Sequence, residues 1–443
     1  MNYQQAREFV KEAGKNGSIY GLDSIKSLMS RLGNVHRQLS ILHAAGTNGK
    51  GSVCTMLAQI LAAQGYKTGQ YASPAVFHPL EIIKINGAAV SKEQFAQAAG
   101  DVRAACAQMT QEGLAHPTAF EIETAIAFCC FQREACDFVV LETGLGGELD
   151  ATNVTEHPIC SILTSISRDH MAILGDTLQE IAAAKAGIIK PGCPCVTAVQ
   201  PSEVMEVLQK AAAEKGSMLR IADVPLFLSR FSYSAQGSAF ETGKSSSQQA
   251  GGLLPPDLCG LQGTLALAGA CQKQNLACVL AAVSLLREKG IRITADAVLK
   301  GLAGACLAGR FEKIGTGPDF YIDGAHNEGA ALLLRETVQG CLAGRRLVYI
   351  IGMLADKEYE KVLRVMLPLA SRVFTVTPDN PRALDGKLLA EKAAQLCADA
   401  AYVPDICDAA ALARRAAGTG GAVLAFGSFF YLGDLKQAVM DNG

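Results

Sequence analysis

The 443-residue chain is long, apolar and nearly neutral. Hydrophobic residues make up 49% of it and charged residues 19%, and 40 Lys and Arg balance 42 Asp and Glu. A chain of this length is expected to form two domains, and this composition is not that of a disordered protein. Because no basic stripe accompanies the balanced charge, nucleic acid is excluded as an expected partner.

The sequence also predicts that the protein lies outside the membrane. The chain begins with a polar, amphipathic segment, and apolar runs such as residues 422–432 are too short to cross a bilayer. The 15 cysteines are scattered among Ala and Leu, without the spacing of a zinc site or a disulfide framework. We therefore expect reduced thiols and a cytoplasmic location.

Strand-like apolar runs alternate with helical patterns along the chain, which is typical of parallel α/β sheets. We predict an α/β fold, with an N-terminal P-loop-type, mostly parallel sheet flanked by helices and a smaller C-terminal Rossmann-like α/β domain. A Gly/Ala-rich passage at 299–308 predicts a domain boundary, with one domain at 1–300 and the other at 301–443. The Ser/Gly/Gln-rich stretch 229–250 predicts a surface hairpin or loop. The predicted strands are 39–45, 138–141, 159–166, 195–199, 347–351, 373–376 and 422–426, and the predicted helices are 53–64, 93–111, 119–132, 177–186, 201–215 and 275–289.

The most informative segment is the Gly-rich turn between the first predicted strand and the helix after it. Such a turn lets backbone N–H groups approach an anion, and the helix N-terminus adds partial positive charge. Lys50 would neutralise the outer phosphates of a nucleotide, and the Ser52 hydroxyl suits Mg²⁺. The spacing departs from G-x-x-x-x-G-K-[ST], because Ala44 replaces the first glycine and Gly51 separates Lys50 from Ser52. The segment predicts triphosphate binding; the alternative is a βα turn without a ligand.

Four other clusters place polar residues after strand or helix patterns. Glu142 ends an apolar strand, where it would be a Mg²⁺ carboxylate or a turn-capping residue. His170 would be a metal ligand, a proton donor or a structural residue, and Lys185 would be functional or extend its ammonium to solvent. Asp323 and His326 follow a later strand and predict a second ligand-facing strand end, or a turn built by Asp and Asn.

Together these segments resemble the Mur ligase family, and within it the folylpolyglutamate synthase/dihydrofolate synthase branch. The similar motifs occur in the same order along most of the chain. They are AGTNGKGS at 45–52, LGGELDATN at 145–153, DH at 169–170 before LGDT at 174–177, KAGIIKPG at 185–192, GR at 309–310, DGAHN at 323–327 and GMLADK at 352–357.

The resemblance implies a reaction. ATP phosphorylates a substrate carboxylate, the amine of L-glutamate attacks the acyl phosphate, and an amide forms as phosphate leaves. The acid would be dihydropteroate or a reduced folate, so the expected activity is that of a folylpolyglutamate synthase, a dihydrofolate synthase or both. The alternatives are a Mur-type ligase for a non-folate acid and a P-loop ATPase without ligase activity. A nicotinamide dehydrogenase is disfavoured, because the loop lacks the G-x-G-x-x-G spacing.

The resemblance also implies roles for individual residues in a monomeric enzyme whose two domains close over ATP. Lys50, His170 and Lys185 would be catalytic, and Lys185 matches a lysine that is carbamylated in the family. Two Mg²⁺ ions, and also K⁺, are implied as cofactors. The implied metal ligands are Ser73, Glu142 and His170, with Ser52 in addition, and the implied nucleotide contacts are Gly46, Thr47, Asn48, Gly49, Lys50, Gly51, Ser52, Asn275, Arg310, Asp323 and His326.

The chain departs from the family pattern mainly where the acid acceptor is expected. Ala75 replaces a histidine of the family, Ile82 an arginine and Glu148 another arginine, while Asp150 keeps the family's acid. We expect these four residues to face the acceptor, and the lost positive charges predict weaker binding of an anionic folate tail. A fourth departure, Cys271 in place of a histidine, lies outside this group.

Overall fold

A computed structural model of the protein describes residues 1–16, 21–244 and 253–441. Most of these residues form two parallel-rich sheets covered by helices. The predicted α/β fold is therefore confirmed. No helix among the described residues is long and apolar enough to cross a membrane, and the 15 cysteines are free thiols.

The N-terminal sheet has eight strands in the order β4-β3-β2-β5-β1-β6-β7-β8. The pairs from β2 to β8 are parallel, and β3 and β4 add an antiparallel edge. The strands are β1 (Ile41–Ala45), β2 (Thr68–Tyr71), β3 (Ile83–Ile85), β4 (Ala88–Ala89), β5 (Phe138–Glu142), β6 (Cys160–Leu163), β7 (Cys195–Ala198) and β8 (Leu219–Ala222). The helices are α1 (Tyr3–Ala13), α2 (Asp23–Arg31), α3 (Lys50–Gln64), α4 (Lys92–Gln111), α5 (Ala119–Arg133), α6 (Met171–Leu174), α7 (Leu178–Ala186), α8 (Ser202–Glu214) and α9 (Val224–Phe227).

The central strands of this sheet are buried on both faces. Successive side chains of a strand point to opposite faces, so Leu42 packs in the core that contains α3 while Ile41 packs in the core that contains α4 and α5. On β5, Val140 lies in the first core and Val139 in the second. This two-sided burial explains why the strands read as continuous apolar runs.

A small antiparallel sheet lies between the two large ones in the sequence, with strand order β11-β10-β9. The predicted hairpin is present as the β9–β10 pair, and residues 245–250 of that prediction lie outside the described residues. The elements are β9 (Leu228–Ser234), β10 (Gly237–Thr242) and β11 (Gln262–Leu265), followed by helices α10 (Gln272–Glu288) and α11 (Ala295–Ala303).

The C-terminal sheet has six strands in the order β12-β13-β17-β14-β15-β16, of which only the β12–β13 pair is antiparallel. The predicted domain boundary at residue 300 stays a proposal. It falls within helix α11, whose Gly301 packs on the backbone of α3 at Ile60. The strands are β12 (Glu312–Gly315), β13 (Asp319–Asp323), β14 (Leu347–Ile351), β15 (Arg372–Thr375), β16 (Ala400–Tyr402) and β17 (Ala422–Phe426). The helices are α12 (Glu328–Cys341), α13 (Tyr359–Met366), α14 (Gly386–Ala394), α15 (Ile406–Ala417) and α16 (Phe429–Asp441).

Candidate active site

A cavity of about 450 Å³ lies between the two large sheets. It collects residues from the ends of β1, β5 and β13, where open parallel sheets place ligand sites. All the residues predicted to bind nucleotide or metal line this cavity. They are Gly46, Thr47, Asn48, Gly49, Lys50, Gly51, Ser52, Ser73, Glu142, His170, Lys185, Asn275, Arg310, Asp323 and His326.

The loop between β1 and α3 is shaped by its glycines. Gly46 has φ +152°, and a Cβ there would overlap the hydroxyl of Thr164. Gly49 has φ +93°, and a Cβ there would overlap the side-chain oxygen of Asn275. Helix α3 then begins with no side chain capping its first turn, so its free N–H groups are available to an anion in the cavity.

Lys50 begins α3 and folds back over the loop. Its Nζ atom donates hydrogen bonds to the carbonyl oxygens of Gly46 at 3.1 Å and Thr47 at 3.3 Å. The same atom lies 4.0 Å from Oε1 of Glu142 at the end of β5. The ammonium is thus held between the loop and a carboxylate, where it can move to a phosphate.

Glu142 is a buried carboxylate in the wall of the first cavity. Burial raises its pKa, and the charges of Lys50 and Arg310 oppose this shift. In the described part of the chain, no three His, Cys, Asp or Glu side chains cluster as a metal site. Mg²⁺ commonly needs only one or two carboxylates, together with water and phosphate oxygens. Glu142 with the hydroxyls of Ser73 and Ser52 therefore fits Mg²⁺ held jointly with a nucleotide.

His170 stands at the start of α6 in a left-handed conformation, with φ 52°. Its Nε2 lies 3.1 Å from Nζ of Lys357. Burial lowers the pKa of His170 to about 4, opposed by Asp169 and reinforced by Lys357. The ring is therefore neutral near pH 7 and has a lone pair, as a metal ligand requires.

Asp169 connects this region to the C-terminal sheet. It accepts hydrogen bonds from Lys357 Nζ at 2.7 Å and Asn327 Nδ2 at 2.9 Å, and it lies 3.3 Å from Nε2 of His326. Burial would raise its pKa, but the hydrogen bond from His326 and the charges of His326 and Lys357 hold it well below the usual range. Asn327 also bonds to Asn48 of the phosphate loop. The DH, DGAHN and GMLADK motifs meet in this network.

The nucleotide-binding residues predicted on the opposite wall of the cavity, Asn275, Arg310 and Asp323, are each oriented by contacts with nearby residues. Asn275 donates to Oε1 of Gln272 at 3.0 Å. The guanidinium of Arg310 stacks 4.7 Å from the ring centre of Phe429. The carboxylate of Asp323 accepts backbone N–H groups of residues 311 and 325, both at 2.8 Å, and burial raises its pKa.

Lys185, on α7, contacts the phosphate loop. Its Nζ donates to the carbonyl oxygen of Gly46 at 3.0 Å, and the side chain is buried. Burial and the charge of Lys50 lower its pKa to about 7. A buried amine that is partly neutral is reactive towards electrophiles such as CO₂.

A second cavity, of about 490 Å³, adjoins the first. It contains three of the four residues predicted to face the acceptor, namely Ala75, Ile82 and Asp150. Glu148 lines neither cavity: it is exposed, and its backbone N–H donates to Ala184 at 2.7 Å. That Glu148 faces the acceptor stays a prediction, and its exposed location outside both cavities does not support it. The residues shared by the two cavities are Ser73, Pro74, Gly144 and Leu145.

Asp150 lines the second cavity, but both its oxygens are already used. Oδ1 accepts from the backbone and hydroxyl of Thr152 at 3.0 and 2.6 Å, and Oδ2 accepts from the backbone of Leu145 at 2.8 Å. The Thr152 hydroxyl also contacts Nε2 of His43 at 2.8 Å, and burial lowers the pKa of His43 to about 3. Asp150 therefore fixes the shape of the wall. Neither His43 nor Thr152 was predicted from the sequence to have a role.

Two family models match the chain. The Mur ligase middle domain matches residues 44–283, and the Mur ligase glutamate ligase domain matches residues 309–429. The first match alone spans more than half of the chain. The protein belongs to the Mur ligase family. The resemblance found in the sequence is therefore confirmed.

Relatives place the chain in one branch of the Mur ligases. It is 33% identical to the dihydrofolate synthase/folylpolyglutamate synthase of Bacillus subtilis, over 98% of both chains. The folylpolyglutamate synthase of Mycobacterium tuberculosis, solved with ADP and AMPPCP, superposes with a TM-score of 0.86 at 28% identity and 98% coverage of each chain. Escherichia coli FolC, in complex with DHPP and ADP, superposes with a TM-score of 0.84 at 26% identity, covering 100% of this chain and 98% of that one.

Proposed function

We propose that this Mur ligase is an ATP-dependent amide ligase that adds L-glutamate to the carboxylate of a folate-type acid through an acyl phosphate. The observation that carries the proposal is the common wall of the two cavities. The first holds the phosphate loop, and the second adjoins it at Ser73 and Gly144. A nucleotide in one cavity and an acid in the other would bring the γ-phosphate and the carboxylate together.

The first step transfers a phosphoryl group. A carboxylate oxygen of the acid attacks the γ-phosphorus, the bond to the β-phosphate oxygen breaks, and ADP is released. Lys50 and the free N–H groups of α3 neutralise the phosphates on one side, and Arg310 does so on the other. Mg²⁺ supplies further charge neutralisation, and its proposed ligands are Glu142, the hydroxyls of Ser73 and Ser52, and His170.

The second step forms the amide. The neutral amine of L-glutamate attacks the acyl carbon, the carbon–oxygen bond to phosphate breaks, and the nitrogen loses a proton. Because an acyl phosphate is hydrolysed by water, the cavity must stay closed between the steps. Asp169 holds Lys357 and Asn327 of the C-terminal part across the cavity, and we propose that these contacts keep water out.

Lys185 is proposed to react with CO₂. Its neutral amine adds to the carbon and loses a proton, which leaves an anionic carbamate. A buried lysine with a pKa of about 7 suits this reaction. A second Mg²⁺ ion, K⁺ and the monomeric state stay predictions from the resemblance, and the cytoplasmic location stays a prediction from the cysteine pattern.

The experiment that tests this function is a substrate panel. ADP release is measured with dihydropteroate, tetrahydrofolate and non-folate acids, each with and without L-glutamate. We expect release that requires both glutamate and a pteridine acid, with an amide product detected by mass spectrometry. Turnover with a non-folate acid alone would favour the alternative Mur-type ligase, and release independent of any acid would favour an ATPase.

A further inference from the structure

One face of α16 contacts two separate segments of the chain. Phe429, Gly433 and Lys436 follow one another at the spacing i, i+4 and i+7, so they share this face of the helix. The ring of Phe429 stacks on the guanidinium of Arg310. Gly433 instead approaches the loop between β2 and β3, where a Cβ on it would lie 3.0 Å from the carbonyl oxygen of Val76. Lys436 lies between these two contacts in its effects, although it lines neither cavity.

Arg310 stands in a turn of unusual backbone conformation. The residues on either side of it have positive φ, +64° at Gly309 and +44° at Phe311. Glycine adopts such a conformation readily, but a bulky residue such as phenylalanine does so rarely. A turn of this kind persists only where the surrounding structure determines it. The direction of the Arg310 side chain therefore depends on what holds its two neighbours.

Two carboxylates hold this turn, one on each side of Arg310. Oδ2 of Asp323 accepts the backbone N–H of Phe311 at 2.8 Å, and Oε2 of Glu312 accepts the backbone N–H of Gly309 at 2.8 Å. Asp323 ends β13 and lines the first cavity, whereas Glu312 lines neither cavity. The carboxylate of Glu312 is therefore oriented by contacts outside the site.

Lys436 supplies such a contact. Its Nζ donates to Oε1 of Glu312 at 2.7 Å and lies 4.0 Å from the ring centre of Phe77. An aromatic face attracts a cation and shields it from water. The side chains of Lys436 and Glu312 are 27% and 25% exposed, so solvent screens this ion pair less than it screens a fully exposed one. Phe77 is itself fixed, because its backbone N–H donates to Oε1 of Glu81 at 2.8 Å.

We propose that Lys436 is a positioning residue for Arg310, acting through Glu312 on the turn at Gly309. The inference rests on the proposed function in one respect, namely that Arg310 contacts the phosphates of the nucleotide. The contacts run from the Lys436 ammonium to the Glu312 carboxylate, from that carboxylate to the N–H of Gly309, and along the backbone to Arg310. Because the turn is fixed before the nucleotide binds, the guanidinium can meet a phosphate without reorganisation.

The test compares two nucleotide ligands by calorimetry. AMPPCP carries the triphosphate chain, and adenosine has no phosphate. Lys436→Met keeps the length of the side chain and its packing on Phe77 but removes the ion pair. A hydrogen bond to a charged group contributes about tenfold or more in affinity, and misdirection of Arg310 loses part of it, so we expect Kd for AMPPCP to rise about three- to tenfold. Kd for adenosine should stay at the wild-type value, which also shows that the variant is folded. Lys436→Arg can keep both contacts and should bind both ligands as the wild type does.

A double-mutant cycle tests whether Lys436 acts through Arg310. Arg310→Ala should weaken AMPPCP binding by about tenfold or more. Adding Lys436→Met should weaken it no further, because the two changes remove the same contact. The matched control is Lys313→Met: Lys313 follows Glu312 on β12, pairs with Asp319 at 2.7 Å and lines neither cavity. It should keep the wild-type Kd for both ligands. Losses that add in the double variant, or equal weakening of AMPPCP and adenosine, would overturn the inference.

The inference and the proposed function fail in different ways. If Arg310→Ala binds AMPPCP as the wild type does, Arg310 is not a phosphate contact, and that part of the proposed function fails together with this inference. If Arg310→Ala weakens binding and Lys436→Met does not, the nucleotide contact stands and only the assignment of Lys436 is lost. Turnover of non-folate acids alone in the substrate panel would change the proposed acid and leave the role of Lys436 in place.

Discussion

The ammonium of Lys185 lies 3.0 Å from the carbonyl oxygen of Gly46, the first glycine of the phosphate loop. This contact joins α7 to the loop through a buried side chain whose pKa is lowered to about 7 by burial and by the charge of Lys50. Near neutral pH a large share of this amine is unprotonated. The geometry and the protonation state together support the proposed carbamylation of Lys185 beside the phosphate loop.

Replacing Lys185 by alanine should abolish most of the activity and leave a cavity open to small acids. We expect Lys185→Ala to lose about a hundredfold or more in kcat, the size typical of losing one group that stabilises charge in the transition state. Acetate or formate should restore part of it, because either can stand in for the carbamate. Lys190→Ala is the control, since Lys190 is half-buried but lines neither cavity. Loss without rescue at any acetate concentration would contradict the carbamate.

The bicarbonate dependence of activity should follow the titration of Lys185. Below a pKa of about 7 the amine is an ammonium and cannot add CO₂, whereas above it the amine is neutral. In CO₂-depleted buffer, stimulation by added bicarbonate should therefore rise as the pH increases from about 6 to about 8. Initial rates across this range measure the effect. Lys185→Ala rescued by acetate should show no bicarbonate stimulation, and stimulation that is independent of pH would argue against Lys185 as its target.

The Gly-rich turn between β1 and α3 could be located from the sequence, because its residues are neighbours in the chain. Gly46 directly follows β1 and Glu142 ends β5, and these two strands are adjacent and parallel; such strand ends meet at one edge of a sheet. The rule that parallel strand ends carry ligands predicted a shared site for the loop and the carboxylate. That β1 and β5 are neighbours in the sheet is a long-range pairing that the structure shows.

Contacts between distant segments could not be predicted from the sequence. Asn48 and Asn327 bond across 279 residues, and nothing in either local pattern indicates the other. Glu123, which lines the second cavity, was missed because two acids at the start of an otherwise apolar helix give no sign of a cavity beside them. Glu148 was predicted to face the acceptor from its place in a motif, but motif position does not determine side-chain direction, and the structure leaves it exposed.

Removing the charge of Asp169 should weaken both closure and stability. Asp169 and Lys357 have side chains that are each 8% exposed, so Asp169→Asn leaves a buried ammonium without its counter-ion. We expect the free energy of unfolding to fall by about 3 kcal/mol, and kcat to fall as the contacts across the cavity weaken. Urea denaturation and steady-state rates measure the two effects. Asp356→Asn, whose partner Arg382 is exposed, should cost less than about 1 kcal/mol; equal losses in the two variants would refute the buried pair as the cause.

Changing Glu148 to arginine should leave acceptor binding unchanged. Its side chain lies outside both cavities, so the added positive charge has no direct contact with a bound acid. Ala75→Glu, which places a negative charge in the wall of the second cavity, should raise KM for the pteridine acid by repelling its carboxylate. Michaelis constants for dihydropteroate measure both changes. A clear fall in KM for Glu148→Arg would instead indicate that residue 148 lies at the acceptor site.

Two glycine-to-alanine changes in helices should have opposite effects on stability. A Cβ at Gly301 in α11 would lie 2.5 Å from backbone atoms of Ile60 in α3, whereas a Cβ at Gly100 in α4 would meet nothing within 4 Å. Backbone atoms cannot rotate away as a flexible side chain can, so Gly301→Ala must push α11 from α3. Such overpacking costs about 1–3 kcal/mol. Gly100→Ala should instead add about 0.5–1 kcal/mol, the difference in helix propensity.

The free energy of unfolding in urea measures both variants, and activity separates local from global effects. Because α3 begins at Lys50, a displaced α3 should also lower kcat in Gly301→Ala, while Gly100→Ala should keep wild-type turnover. Gly301→Ala as stable as Gly100→Ala would mean that the two helices can separate at no cost. In that case the close approach of α11 would not be what positions the phosphate loop, and α10, which also packs on α3, would have to do so.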